Sequence, residues 1–233
     1  MLSEEQRKLW DLYEQVEARG LRADKVRALV AFLDRLTETP DSEWFPWARS
    51  LAEAVVDKGE SRVIPTPLFE RAVFPALLAG YRAGLPGCAR WLAGLFDLVC
   101  RSQGCVEQLP EGDRSEVGLF RAALRHNPAD RWSRRHLLNK LANQFEYSLH
   151  ELPAGVLYGV GLDPVSPENC LELEQELEEF CLLVRAEGEE QLYEEFIGKC
   201  RFHFRAYRRY LLSPGNRRSY AEYLSHLEGQ WPA

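Results

Sequence analysis

The 233-residue chain contains no run of 18 or more apolar residues, so no segment reads as a membrane-spanning helix. Its first twenty residues, MLSEEQRKLWDLYEQVEARG, hold no apolar signal-peptide core. The expectation is therefore a cytoplasmic protein that does not engage a membrane. Basic charge is not in excess: 29 Lys and Arg stand against 36 Asp and Glu, a formal net charge of -7. That balance works against a strong electrostatic nucleic-acid binder. Methionine occurs only at Met1 and isoleucine only at Ile64 and Ile197, while 24 of the 29 basic residues are Arg. The bias suggests a GC-rich, bacterial genome and says nothing about activity.

The common catalytic signatures are also missing. There is no G-x-x-x-x-G-K-[ST], no G-x-G-x-x-G opening a helix, no G-x-S-x-G and no H-E-x-x-H. This weighs against those site architectures without excluding an enzyme of another kind, and it implies no cofactor. Six cysteines (Cys88, Cys100, Cys105, Cys170, Cys181 and Cys200) are few for the length. Without an export signal they are expected as reduced thiols acting as small hydrophobes. Zinc would need Cys100-x4-Cys105 and Cys200-x2-His203 to meet across the fold, with Cys100 and Cys200 both at apolar helix positions. Buried free thiols and no metal are the expectation.

What is present is material for a core. The chain is 45% hydrophobic and 11% aromatic, which excludes disorder and suffices for burial without staples. Helical periodicity dominates. Ser3-x-x-Gln6 is a capping box for a helix over 3–19, ended by Gly20. Asp24 is expected to cap the next helix, which runs to Pro40, and Ser42 a third over 42–58. Residues 60–67 read as an extended connector. Thr66 and Pro67 open a helix to about Tyr81, kinked at Pro75. Further helices are expected at about 86–101, 114–126 and 131–151, the last capped by Asp130. After an irregular segment, 152–167, come helices at 168–187, 189–212 and 216–228. The fold class is all-α, built of antiparallel helix pairs in an irregular α-hairpin array or a compact helical bundle. One domain over 1–233 is expected, with a possible subdivision into 1–151 and 168–233 around the 152–167 loop.

The stretch LFRAALRHNPADRWSRRHLLNKLANQF, residues 119–145, resembles the junction between two tetratricopeptide-type helical repeats. Ala122-Ala123-Leu124, Asn127-Pro128, Trp132 and Leu137 carry the resemblance. It covers about 27 residues, and no second copy keeps the 34-residue period. It implies a protein-binding scaffold by analogy of fold alone.

On a helical wheel the 131–151 segment has two unlike faces. Leu137, Leu138, Leu141, Ala142, Phe145 and Leu149 fill one arc. His136, Asn139, Lys140, Asn143, Glu146, Tyr147 and His150 fill the other, with Trp132 beside them. Histidine and asparagine offer both donors and acceptors and cost little entropy to fix. The face reads as packed against a neighbouring helix, as a partner surface, or as a site where Glu146 and His150 share a metal or a proton.

Arg201, Arg205, Arg208 and Arg209 form a stripe on the 189–212 helix beside Cys200, Phe204, Tyr207 and Leu211. Basic residues interleaved with aromatics can bind nucleic acid. The competing reading pairs them with Glu172, Glu174, Glu176, Glu178 and Glu179 of the preceding helix. The 152–167 loop exposes Leu157 and Tyr158 unless it folds back on the core or meets a partner.

The leading reading is a non-catalytic intracellular protein-binding module or adaptor. Its partner-binding residues would be Trp132, His136, Asn139, Asn143, Glu146, His150, Leu157 and Tyr158. The acidic balance suits a basic protein partner, and an immunity-type protein that neutralises a basic toxin is one concrete version. The alternatives are a helical-bundle enzyme built on Glu146, His150 and His136, and a nucleic-acid-binding regulator using Arg201, Arg205, Arg208 and Arg209.

Overall fold

A computed structural model describes residues 1–152, 166–213 and 219–228. All regular structure among the described residues is helical, with no strand. None of these helices is long and apolar enough to cross a membrane. The chain divides into two compact units, Met1–Ser133 and Arg134–Ala233. The division falls inside the helix over 131–151, not in the 152–167 segment where a subdivision was expected. Residues 153–165 of that segment, Leu157 and Tyr158 included, lie outside the described residues.

The first unit opens with α1 (Glu4–Arg19) and α2 (Arg22–Thr37). The capping box forms: the Gln6 N–H donates to Ser3 Oγ at 3.2 Å and the Ser3 N–H to Gln6 Oε1 at 2.9 Å. Asp24 does not cap α2. The link after Gly20 is so short that Leu21 takes the cap position, and Asp24 sits in the first turn, where its charge still suits the helix dipole. Likewise α3 (Asp41–Val56) starts directly after extended Pro40, one residue before the expected Ser42 cap. The core here is aromatic: the Trp10 ring lies 5.1 Å from Phe32 and 5.0 Å from Trp47. Phe32, Leu33 and Leu36 are fully buried, each contributing about 1.5–3 kcal/mol by burial.

The irregularity expected at Pro75 is a register change. A short α4 (Thr66–Leu68) runs into a π-helical turn, Phe69–Val73, and then into α5 (Phe74–Arg82). The Phe74 N–H donates to the Phe69 carbonyl, five residues back. Pro75 has no N–H to give, and its ring crowds the carbonyl four residues earlier. The chain absorbs that conflict by spending one extra residue in the turn.

The helix expected over 86–101 is in fact two, α6 (Cys88–Gly94) and α7 (Phe96–Arg101), broken at Leu95. Gly94 permits the break and also a close approach: a Cβ there would lie 2.6 Å from Val56 Cγ1. Leu92, Leu95 and Val99 stay buried through the break, and Cys100, next to Val99, is exposed, contrary to its expected apolar position. Two 3-10 turns, Val106–Gln108 and Glu111–Asp113, lead to α8 (Glu116–His126), capped by Ser115.

Asp130 caps α9 (Arg131–Glu151) as expected: Oδ1 accepts from the Ser133 N–H at 3.1 Å and Oδ2 from the Ser133 hydroxyl at 2.9 Å. Both oxygens also accept from Arg90 Nη1 at 3.0 Å. Arg90 Nη2 donates to Asp57, which also accepts from the Trp91 indole N–H at 2.9 Å. The guanidinium lies over the Trp132 ring, 5.8 Å from its centroid.

In the second unit α10 (Pro167–Glu187) and α11 (Glu190–Leu212) form an antiparallel pair, followed by α12 (Tyr220–Glu228). Gly188, at φ +71°, makes the left-handed cap that ends α10, a conformation costly for other residues. Phe145 of α9 meets Phe180 and Phe204, each at 5.7 Å. Leu173, Leu177, Phe180 and Val184 are buried, as the core spacing of the acidic helix predicts.

Removing Arg90 would leave the nearly buried Asp130 carboxylate without its cation. Arg90→Ala is expected to lower unfolding free energy by about 3 kcal/mol or more, read by denaturant titration; a loss no larger than that of an exposed Arg→Ala control would overturn this role.

Candidate functional site

The strongest surface is the polar face of α9. Asn139, Asn143, Glu146 and His150 are all exposed. At 100° per residue they fall within one narrow arc, spaced i, i+4, i+7, i+11, over roughly 16 Å of helix. None of the four side chains hydrogen-bonds or ion-pairs with another described residue. Tyr147 is 43% exposed beside them, and Lys140 is exposed too. His136 is half-buried. On the opposite side Leu137, Leu138, Leu141 and Phe145 have no exposure. The amphipathic wheel is thus as the sequence predicts, and the far end of the polar stripe faces solvent.

Trp132 stands differently. It belongs to the first unit, half-buried, with its ring 5.9 Å from Phe120 and the Arg90 guanidinium above it. Its surroundings are those of a packed residue. Among the described residues no three His, Cys, Asp or Glu side chains come together as a metal site.

The arginine stripe of α11 is partly engaged within its own unit. Arg201 Nη2 donates to Glu178 at 3.0 Å, and Arg205 Nε lies 3.5 Å from a Glu174 carboxylate oxygen. Arg208 is half-buried and Arg209 exposed. Glu176, a third acidic residue of α10, accepts from Gln144 at 2.7 Å.

Two features were not anticipated from the sequence. One is a polar cluster at the edge of the core: the hydroxyl of buried Tyr81 donates to buried Asp113, and the exposed Arg125 donates through Nη2 to both Asp113 oxygens at 2.8 Å. Burial, reinforced by the Asp113 contact, pushes the Tyr81 phenol up to about 12. The cluster joins α5, the second 3-10 turn and α8, and no periodicity argument reaches such a pairing. The other is a cleft of about 600 Å³ beside the π turn, lined among others by Asp41, Glu70 and Phe74. Pro75 signals the irregular turn but not the cavity.

The thiols divide sharply. Cys88, Cys105, Cys170 and Cys200 are buried, Cys181 is half-buried and Cys100 is exposed. Burial pushes the thiols of Cys88 and Cys170 up to about 11 and that of Cys200 up to about 12.

No family model matches this chain, and no curated protein or solved structure matches it either.

Native protein treated with a thiol reagent near neutral pH is expected to show one fast equivalent, abolished by Cys100→Ser, with the rest reacting on unfolding. Several fast equivalents would contradict the burial pattern. A second expectation concerns pH. The folded Tyr81 phenol stays protonated to about 12, whereas an unfolded phenol titrates near 10. Between those values the unfolded chain binds fewer protons, so stability falls as pH rises. Tyr81→Phe should flatten that alkaline decline in a series of denaturant titrations; an unchanged slope would remove Tyr81 as its source.

Proposed function

We propose that this protein is a non-catalytic intracellular binding module that docks a basic protein partner on the exposed stripe Asn139, Asn143, Glu146 and His150 of α9. The observation that carries this reading is that four neighbouring polar side chains on one helix face are exposed and have no hydrogen-bond or ion-pair partner among the described residues. A solvated helix surface is ordinarily dominated by Glu, Lys and Arg; this stripe is two asparagines, one histidine and one glutamate. Side chains of that kind form directional hydrogen bonds to a partner at modest entropic cost.

Charge supports a basic partner. Residues 134–233 contain sixteen acidic and eleven basic residues, and complementary fields speed encounter and suppress wrong partners. The engagement of Arg201 and Arg205 by α10 carboxylates weighs against a nucleic-acid surface on α11. The buried thiols suit a reducing compartment. The helical-repeat resemblance over 119–145 points the same way by analogy of fold.

The test is affinity purification from the native source at low salt with nuclease present, read by mass spectrometry. A near-stoichiometric protein partner is expected, weakened by added salt. The double variant Asn143→Ala/His150→Ala should lose it while keeping its thermal midpoint within the small range typical of exposed substitutions. A well-folded preparation with no partner, or one whose partner survives the double variant, sinks the reading.

A further inference from the structure

The cleft beside the π turn has a chemistry that the α9 face does not. Its floor is apolar: Phe74 and Leu78 of α5 are buried, and Phe45 of α3 closes one side. Its rim carries Asp41, from the first turn of α3, and Glu70, from the π turn. Both are exposed, and neither makes a hydrogen bond or ion pair with another described residue. The cation on the rim, Arg82, does not neutralise them by contact. Its Nη2 donates instead to the Gln108 carbonyl at 3.3 Å.

Glu70, Phe74 and Leu78 are spaced i, i+4 and i+8, so they share one face of the segment and all three line the cleft. Single π turns inside α-helices recur at functional sites, and Glu70 of this turn sits at the edge of the cleft floor.

We infer that the cleft binds a small organic cation, an amine with an apolar aromatic or aliphatic body. The hydrocarbon body would lie against the half-buried Phe45, Pro75 and Ala79, above the buried Phe74 and Leu78, removing apolar surface from water. The ammonium would take the unpartnered Asp41 and Glu70 carboxylates, with the phenyl faces adding cation–π attraction. A cleft of about 600 Å³ is of the size that accommodates such a molecule. A carboxylate-bearing analogue would meet two like charges, and a neutral one would forgo the charge-assisted hydrogen bonds.

The test is an amide NMR titration of the full chain with phenethylamine, alongside 2-phenylethanol and 3-phenylpropionate as neutral and anionic counterparts. Phenethylamine should give saturable shifts at Phe45, Glu70 and Leu78 of the cleft and none along α9. The alcohol should bind at least about tenfold more weakly, and the acid should show no saturation. Asp41→Asn/Glu70→Gln, two exposed isosteric changes, should cut amine affinity by about tenfold or more while the thermal midpoint holds. If the amine fails to saturate at millimolar concentration, if the alcohol binds equally well, or if the double variant binds like the wild type, the inference falls. A protein partner on α9 would be unaffected by any of these results.

Discussion

Arg90, half-buried, is answered by two carboxylates, the nearly buried Asp130 and Asp57 at the surface. Asp57 follows α3 and Asp130 precedes α9, so one guanidinium ties together the end of one helix, the body of another and the start of a third. A partly buried ion pair repays its desolvation only when its hydrogen bonds are nearly complete. Here Asp130 also accepts from the Ser133 backbone and hydroxyl, and Asp57 from the Trp91 indole. Where α9 begins is therefore dictated by charge satisfaction as well as by helix propensity. The polar stripe of α9 lies further along the same helix, in the second unit.

That stripe and the core opposite it are two readings of a single periodicity. Leu137, Leu141 and Phe145 are buried because they recur at the helical repeat, and Asn139, Asn143 and His150 are exposed for the same reason. A one-residue change in register would bury asparagines and expose leucines. The hydrophobic cost of such a slip is several buried side chains at about 1.5–3 kcal/mol each, far more than any surface interaction could offset. The candidate surface is thus held in place by residues that take no part in it.

How much of this was legible beforehand varied with the range of the interactions. Local signals read well: the Ser3–Gln6 capping box, the Asp130 cap, the two faces of α9 and the core spacing of α10 are all written within a few residues of each other. Caps next to short links read poorly. Asp24 and Ser42 have the right chemistry, but Gly20 and Pro40 leave no room for an N-cap at either. The break at Leu95 was invisible because the apolar pattern runs straight through it, and the close approach of Val56 to Gly94 belongs to tertiary packing. The Tyr81–Asp113–Arg125 cluster and the cleft at Glu70 join residues tens of positions apart, which no local pattern encodes.

The π turn at Phe69–Val73 also bears on how this chain has changed over time. Such a turn is an α-helix with one residue too many, so it can arise by a single-codon insertion and vanish by a single-codon deletion. Losing that residue would restore plain α-helical bonding and leave both flanking segments in phase, because the turn itself takes up the roughly 100° of the inserted residue. Descendants of the same ancestor can therefore differ by one position between 66 and 74 and yet keep both flanking helices.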